Sequence, residues 1–190
     1  LDLNSKTTTN TGTSYDLSLV GKGGNGTSAY GFSAADGTAL NCRITGGVLH
    51  ADTAGTCVVT VSRAGNAYYN TATPADVTVT FSTIDQTTPT LASAAGDNSG
   101  TLYSASLSGQ GGESTGDFTY AVTGGTASNC TISGSSVTAT SAGTCLVTAT
   151  HVGDNYYNDA TSTAATITFT KINQAANLDL NSKTTTNTGT

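Results

Sequence analysis

Four cysteines are the residues whose type and spacing point most directly to chemistry. They form two pairs whose members stand 15 positions apart (57 − 42 and 145 − 130). An even, duplicated set of this kind predicts one disulfide in each half of the chain, Cys42 with Cys57 and Cys130 with Cys145. Closing a loop of this length stabilises a domain by roughly 3 kcal/mol in the chain-entropy model. Two alternatives stay open: buried free thiols, and zinc ligands, which are disfavoured because no histidine or carboxylate repeats with the cysteines.

Acid-base or nucleophilic catalysis has few candidate residues here. The sequence contains one glutamate, Glu113, and two histidines, His50 and His151. None of the many serines and threonines stands in a pattern with a histidine and a carboxylate that would activate its hydroxyl. We therefore expect these three side chains to be exposed to solvent and the chain not to be an enzyme.

Two glycine-rich stretches invite comparison with phosphate-binding loops. They read "GKGGNG" from Gly21 and "GQGGES" from Gly109. A phosphate loop needs a helix after the glycines, whereas a strand is predicted to follow both stretches. We interpret them as turns or bulges between strands, and we expect neither a cofactor nor a metal ion.

Two sequons are candidate glycosylation sites. "NGT" begins at Asn25 and "NCT" at Asn129, and either asparagine would carry a glycan in a compartment that glycosylates this motif. Asn129 adjoins a predicted disulfide, which makes it the less accessible of the two.

The composition excludes several classes of partner. Only 9% of the residues are charged, the formal net charge is −6, and the six lysines and arginines are scattered. Nucleic acid requires a concentrated basic surface, so we do not expect it as a partner. No apolar run is long enough to span a bilayer. The sequence lacks methionine, and we expect it to be a window on a longer chain.

An internal repeat organises the whole sequence. "TAGTCVVTVSRAGNAYYNTAT" from Thr53 returns as "SAGTCLVTATHVGDNYYNDAT" from Ser141, an offset of 88 (141 − 53). The first thirteen residues, "LDLNSKTTTNTGT", return unchanged from Leu178, an offset of 177 (178 − 1). We therefore predict one domain over residues 1–87, a second over 88–176, and the first strand of the next unit over 177–190.

Apolar and polar residues alternate with a period of two throughout both halves. Val77, Val79 and Phe81 alternate with Thr78 and Thr80, for example. This period predicts half-buried strands, and Gly, Asn and Asp turns separate them. The fold predicted is all-β: two tandem immunoglobulin-like β-sandwiches of about seven strands each.

Paired tyrosines occupy the loop before the last strand of each half, in "AYYN" from Ala67 and "NYYN" from Asn155. Neighbouring side chains on an extended backbone point in opposite directions, so we expect one tyrosine against the core edge and the other exposed. An exposed ring could stack on a sugar or on the next domain. We favour the next domain, because the motif recurs in both units, and we name Tyr69 and Tyr157 as candidate interdomain contacts.

Residues 41–81, and their repeat at 129–169, resemble the bacterial immunoglobulin-like (Big-type) tandem domains of large surface proteins and adhesins. The shared pattern is two short strands around a Gly or Ser turn, then "AGT" leading into a long strand, then an alternating Val/Thr strand. The resemblance implies a spacer or stalk domain of a cell-surface or secreted protein, without catalytic residues. Some relatives bind calcium between domains, but this sequence lacks the clustered Asp and Glu of such sites.

These observations predict a structural repeat unit of an extracellular bacterial surface fibre or adhesin stalk. The segment around "STIDQTTP" contains no flexible Gly/Ser run, which favours a semi-rigid rod. The expected partners are other copies of the repeat, in tandem and also laterally, because few charges or prolines protect the sheet edges. Two alternatives stay open: a non-covalent filament in which "LDLNSK" is a donated strand, and a module that binds a glycan or receptor.

Overall fold

The computed structural model describes residues 1–4, 8–92 and 96–174, and all regular secondary structure in these ranges is β-strand. The strands of the first half are β1 (Asp2–Leu3), β2 (Thr9–Asn10), β3 (Tyr15–Ser18), β4 (Gly21–Lys22), β5 (Tyr30–Asp36), β6 (Arg43–Thr45), β7 (Val48–Ala51), β8 (Gly55–Arg63) and β9 (Ala75–Phe81). Those of the second half are β10 (Thr90–Leu91), β11 (Asp97–Asn98), β12 (Tyr103–Ser106), β13 (Gly109–Gln110), β14 (Phe118–Gly125), β15 (Thr131–Ser133), β16 (Ser136–Ala139), β17 (Gly143–His151), β18 (Ala160–Thr161) and β19 (Ala165–Phe169).

The strands of the first half pair into two main antiparallel sheets. One has the order β2-β3-β7-β6 and the other the order β5-β8-β9, while β1 pairs with β4 beside them. The second half repeats this arrangement with β11-β12-β16-β15, with β14, β18 and β19 on β17, and with β10 on β13. The all-β prediction is confirmed.

Each half has its own hydrophobic core, built by the predicted alternation. In β9, Val77, Val79 and Phe81 are buried while Thr78 and Thr80 are exposed. The most deeply buried residues of each core face inward from both of its sheets: Tyr15, Leu49, Val59, Val61 and Phe81 in the first, and Val137, Val147, Ala149, Ile167 and Phe169 in the second. Burial of these apolar side chains is the main force that holds the sheets together.

Both predicted disulfides are present. Cys42 bonds to Cys57 and Cys130 to Cys145, with Cα atoms 5.8 and 5.9 Å apart. Cys57 lies in β8 of one sheet, and Cys42 directly precedes β6 of the other. Each disulfide therefore ties the two sheets of its half together across the core.

The number of strands exceeds the predicted seven or so per half, because several pairs of only two residues, such as β1 with β4, are separate elements. The expected first strand of a next unit, at residues 177–190, lies outside the described residues.

Candidate functional site

The residues that suggested catalysis are engaged in structural contacts: His50 lies in the first half, whereas Glu113 and His151 lie close together in the second. The Asp16 carboxylate pairs with the His50 imidazole across β3 and β7, and His50 is half-buried, not exposed as predicted. Glu113 is exposed and accepts hydrogen bonds from the amide and hydroxyl of Thr87, both at 2.7 Å. In the described ranges, no three His, Cys, Asp or Glu side chains are grouped so that they could hold a metal ion.

The prediction that His151 is exposed is wrong, since only 6% of this residue is accessible. Its imidazole stacks on Phe118, its direct cross-strand neighbour, with ring centroids 4.4 Å apart. Its Nε2 lies 2.8 Å from the Gly116 carbonyl oxygen. The counterpart Arg63 stacks on Tyr30 in the same way, 4.6 Å from the ring centroid. Each of the two residues lies directly opposite its aromatic partner on the neighbouring strand. The pairing of the strands, and not the type of residue, therefore places a side chain on the ring.

The glycine-rich stretches form turns. Gly23 and Gly24 follow β4, and Gly111 and Gly112 follow β13, all with positive φ between 74° and 88°. A left-handed backbone of this kind favours glycine. Each stretch therefore begins as a short strand and continues as a turn.

Both candidate glycosylation sites are exposed. Asn129 has a positive φ of 53°, as does its counterpart Asn41 with 55°, and its side-chain amide donates to the Thr140 hydroxyl at 3.2 Å. Because Asn41 stands outside any sequon, the left-handed turn accounts for asparagine at both positions. Glycosylation stays a prediction.

The most developed polar and aromatic cluster lies where the two halves meet. Tyr156, from the loop after β17, packs against the core of the first half with its ring 5.2 Å from that of Tyr15. The Tyr15 hydroxyl donates a 2.6 Å hydrogen bond to the Asn155 carbonyl. Burial raises the pKa of Tyr15, and the neighbouring Tyr156 and Asp154 raise it further. Tyr15 therefore remains a neutral hydrogen-bond donor in this contact.

The second tyrosine of the pair, Tyr157, lies against the turn between β2 and β3. Its hydroxyl occupies the space that a Cβ at Gly12 would need, and Gly12 has a φ of +81°. In the same turn, the Asn10 side-chain amide donates to the carbonyls of Tyr156 at 2.8 Å and Ser82 at 3.2 Å. The absence of a side chain at Gly12 therefore allows the tyrosine loop to approach closely.

Main-chain hydrogen bonds join the linker to the same loop. The Ile84 amide donates to the Tyr156 carbonyl at 3.0 Å, and the Asn158 amide donates to the Ile84 carbonyl at 2.9 Å. Ile84 and Tyr157 consequently form a parallel β-bridge. The linker is thus paired with the second half before that half's first strand begins.

Gln86 fixes the next part of the linker. It is 8% exposed, and its side-chain amide donates to the carbonyls of Asn158 at 2.7 Å and His151 at 3.3 Å. Its side-chain oxygen accepts from the amides of Glu113 at 3.1 Å and Ser114 at 3.0 Å. One side chain therefore satisfies four backbone groups of the second half.

Asp154 shapes the tyrosine loop. Its carboxylate accepts hydrogen bonds from the amides of Tyr156, Tyr157 and Thr115 at 2.8, 3.1 and 2.9 Å. Partial burial opposes ionisation, but these bonds outweigh it and hold the pKa of Asp154 below its ordinary value. The pKa of Glu113 is lowered as well, mainly by the hydroxyl and amide of Thr87.

Sequence reasoning named Tyr157 and Tyr69 as interdomain contacts. Tyr157 lies at the junction, whereas Tyr69 and its neighbour Tyr68 are 48% and 90% exposed on the first half. Tyr156, which covers Tyr15, was missed as a contact. Both tyrosines are duplicated in the two loops, but the sequence does not show which ring points to a neighbouring domain.

A shallow cavity of about 420 Å³ opens beside the junction. Its lining includes the side chains of Glu113, Asp154 and Tyr156. Both carboxylates already accept hydrogen bonds from protein groups.

No family model, curated protein or solved structure matches the chain. No helix long and apolar enough to cross a membrane occurs in residues 1–4, 8–92 and 96–174.

Proposed function

We propose that this chain is a structural repeat unit of an extracellular bacterial surface fibre or adhesin stalk, in which tandem immunoglobulin-like domains form a semi-rigid rod without catalytic activity. The observation that carries the proposal is the junction between the halves. Aromatic packing, main-chain pairing and the buried Gln86 join the same two surfaces. A junction with this many directional contacts restricts bending and twisting more than a flexible linker would.

The strand orders support an immunoglobulin-like topology. If β2, β3, β5, β6, β7, β8 and β9 are lettered A to G, the two sheets of the first half have the orders A-B-E-D and C-F-G. This is the pairing scheme of a seven-stranded immunoglobulin-type sandwich. The second half has the corresponding orders, with the short β18 added beside β17.

The disulfides support an extracellular location. Disulfides persist in oxidising compartments and are rare where thiols are kept reduced. All four cysteines are used in the two bonds. A surface of hydroxyls and amides with few charges is also compatible with a structural role outside the cell.

Small-angle scattering of the 190-residue chain tests the rod. We expect an elongated particle with one well-defined maximum dimension. Tyr156→Ala should broaden the distance distribution, because it removes the ring that packs on Tyr15. Tyr68→Ala is the matched control: it changes the equivalent, 90% exposed tyrosine and should leave the profile of the single, unassociated chain unchanged. A wild-type profile typical of two freely hinged domains would contradict the proposal.

One observation favours the donor-strand alternative. Leu3 is only 1% exposed and belongs to the core of the first half, although β1 has just two residues. The same "LDL" recurs at residues 178–180, which lie outside the described residues. A copy of this segment could therefore fill the Leu3 position of a neighbouring chain.

The mass of the native assembly distinguishes a covalent tandem chain from a filament joined by strand exchange. The assembly is captured from cell surfaces with an antibody against this chain and boiled in detergent before its mass is measured. One very large species, with two disulfides per 177-residue repeat, would support covalent tandem units. A ladder that collapses to a small subunit would support strand exchange. Failure of the antibody to label intact cells would contradict the extracellular proposal.

A further inference from the structure

We propose that the two ends of this molecule are the complementary halves of a second junction, through which the first domain of another copy docks onto the second domain of this one. The proposal rests on the proposed function, since it identifies the partner of each free end in the rod. The surfaces are defined by the offset of 88 residues. The tyrosine face comprises Asn66–Asn70, and the receiving face comprises Asn98, Gly100, Tyr103, Ile172 and Gln174.

The tyrosine face is already in the conformation of its occupied counterpart. The Asn66 side-chain oxygen accepts hydrogen bonds from the amides of Tyr68 at 2.8 Å and Tyr69 at 3.0 Å. Asp154 holds Tyr156 and Tyr157 in the same way. The occupied pair is half-buried, whereas Tyr68 is the most exposed large aromatic residue on the described surface.

The receiving face is also preformed. The Asn98 side-chain amide donates to the Thr170 carbonyl at 3.0 Å, as Asn10 does to Ser82. Gly100 has a φ of +86° like Gly12, but a Cβ there would meet nothing within 4 Å, whereas one at Gly12 would meet the Tyr157 side chain. The backbone keeps the space for a tyrosine at both turns, and only one turn is filled.

The Tyr103 ring on the receiving face has no tyrosine from another domain packed over it in the described part of the chain. It is only half-buried, whereas its counterpart Tyr15 is fully buried beneath Tyr156. A cavity of about 330 Å³ lies beside it, lined in part by Asn98, Gly100 and Ile172. Docked like Tyr156, the Tyr68 of a second copy would cover the Tyr103 ring.

The last residues of the second half correspond to the linker between the halves, but they are more exposed to solvent. Gln174 is exposed where Gln86 is buried, and Ile172 is 64% exposed where Ile84 is 37% exposed. The amides of Ile172 and Asn70 have no hydrogen-bond partner among the described residues. Their counterparts, Ile84 and Asn158, donate across the occupied junction.

The pattern of substitution between the halves supports a second use of the same interface. The residues at the centre of the occupied junction are identical 88 positions away: Asn10 and Asn98, Gly12 and Gly100, Tyr15 and Tyr103, Ile84 and Ile172, Gln86 and Gln174, Tyr156 and Tyr68, Tyr157 and Tyr69, and Asn158 and Asn70.

Some junction residues do differ between the halves, such as Asp154 and its counterpart Asn66, and one bonded pair changes at both positions. Thr87 and Glu113 bind each other, and their counterparts are Ala175 and Asn25. The extra residue of the second linker falls after Gln174, as "QTTPTL" becomes "QAANLDL". Each face therefore keeps its internal spacing, and the two faces of the second junction lie one residue farther apart along the chain than those of the first.

Hydrogen exchange measured by NMR on a chain of two consecutive copies, residues 1–177 followed by 1–190, tests the proposal. The single 190-residue chain is the reference. We expect the Ile172 amide of the first copy, and the Asn70 amide of the second, to exchange about tenfold or more slowly in the double chain. The Ile84 and Asn158 amides report on the occupied junction and should be protected in both proteins.

Two matched variants assign the protection to the interface. Tyr68→Ala in the second copy should restore fast exchange at Ile172 and leave Ile84 protected. Tyr156→Ala in the first copy should have the reverse effect. Fast exchange at Ile172 in the unsubstituted double chain, with Ile84 protected, would overturn the second junction and leave the rod within each unit intact. Fast exchange at Ile84 as well would overturn the proposed rod itself.

Discussion

Gln86 and Gln174 are the same residue in two environments. Gln86 is buried and bonds to four backbone groups, whereas Gln174 is exposed at the end of the described chain. A buried polar group that loses its hydrogen-bond partner destabilises the folded state. The partners of Gln86 are main-chain groups, which remain in place when Gln86 is substituted. The stability of the occupied junction therefore depends strongly on one uncharged side chain.

We expect Gln86→Ala to destabilise the chain by about 1–3 kcal/mol, because it leaves backbone donors and acceptors of the second half unsatisfied. Urea unfolding followed by circular dichroism measures the change. Gln174→Ala in the same chain is the control and should have almost no effect. Equal effects of the two substitutions would show that Gln86 does not have this structural role.

Protonation of Asp154 at low pH should loosen only the loop that carries Tyr156 and Tyr157. Its folded-state pKa is lowered, so its ionised form contributes stability above its ordinary pKa of 3.8. That contribution is lost as the pH falls through the lower folded-state value. We expect the NMR signals of the Tyr156 and Tyr157 amides to shift on titration from pH 6 to pH 2.

The amides of Tyr68 and Tyr69 are the internal control, since the neutral Asn66 holds them. Asp154→Asn should keep the loop at neutral pH and remove its titration. The pKa of Glu113 is lowered too, so Glu113→Gln separates its contribution. A response in Tyr156 and Tyr157 that persists in Asp154→Asn would contradict the assignment to Asp154.

At the scale of elements, the disulfides and the strand alternation could be predicted from the sequence, because both are local regularities. Cysteine spacing repeats between the halves, and inward positions such as Val77 and Val79 recur every second residue. The environment of His151 could not be predicted in this way. It depends on which residue of β14 pairs with the end of β17, and that register is set by contacts across the whole sandwich.

The orientation of the tyrosine pair could not be predicted from the sequence either. A loop residue such as Tyr156 is placed by the turn that Asp154 closes and by the surface of another domain. Neither has a sequence period. The duplicated motif draws attention to the loop but does not identify which ring fills the junction.

Each disulfide adds a covalent bond between the two sheets of its half. We expect replacement of Cys130 and Cys145 by alanine to lower the free energy of unfolding of the second half by about 2–5 kcal/mol. Urea unfolding of this double variant, compared with the Cys42→Ala, Cys57→Ala variant, measures the change in each half separately. An unchanged unfolding curve would show that core packing alone sets the stability.

At the scale of the whole molecule, the two halves are alike in fold and differ in what covers their ends. The first half has a covered Tyr15 and an exposed Tyr68, while the second has a covering Tyr156 and a half-buried Tyr103. Such a head-to-tail surface pair does not form a symmetric two-fold dimer, because the two contacting faces differ; it links successive units into a row, which stays open unless the rotation between units closes it into a ring.

The position of the disulfides has a mechanical consequence for a chain of this kind. When a domain is pulled from its two ends, force passes directly between Cys42 and Cys57, a separation of 15 residues. About 50 Å of chain in each domain is thereby withheld from extension. Within that shielded loop, β6 and β7 stay in a closed hairpin that carries the buried Leu49. A domain unfolded by force would thus keep a covalently closed part of its core, from which refolding could start when the force is released.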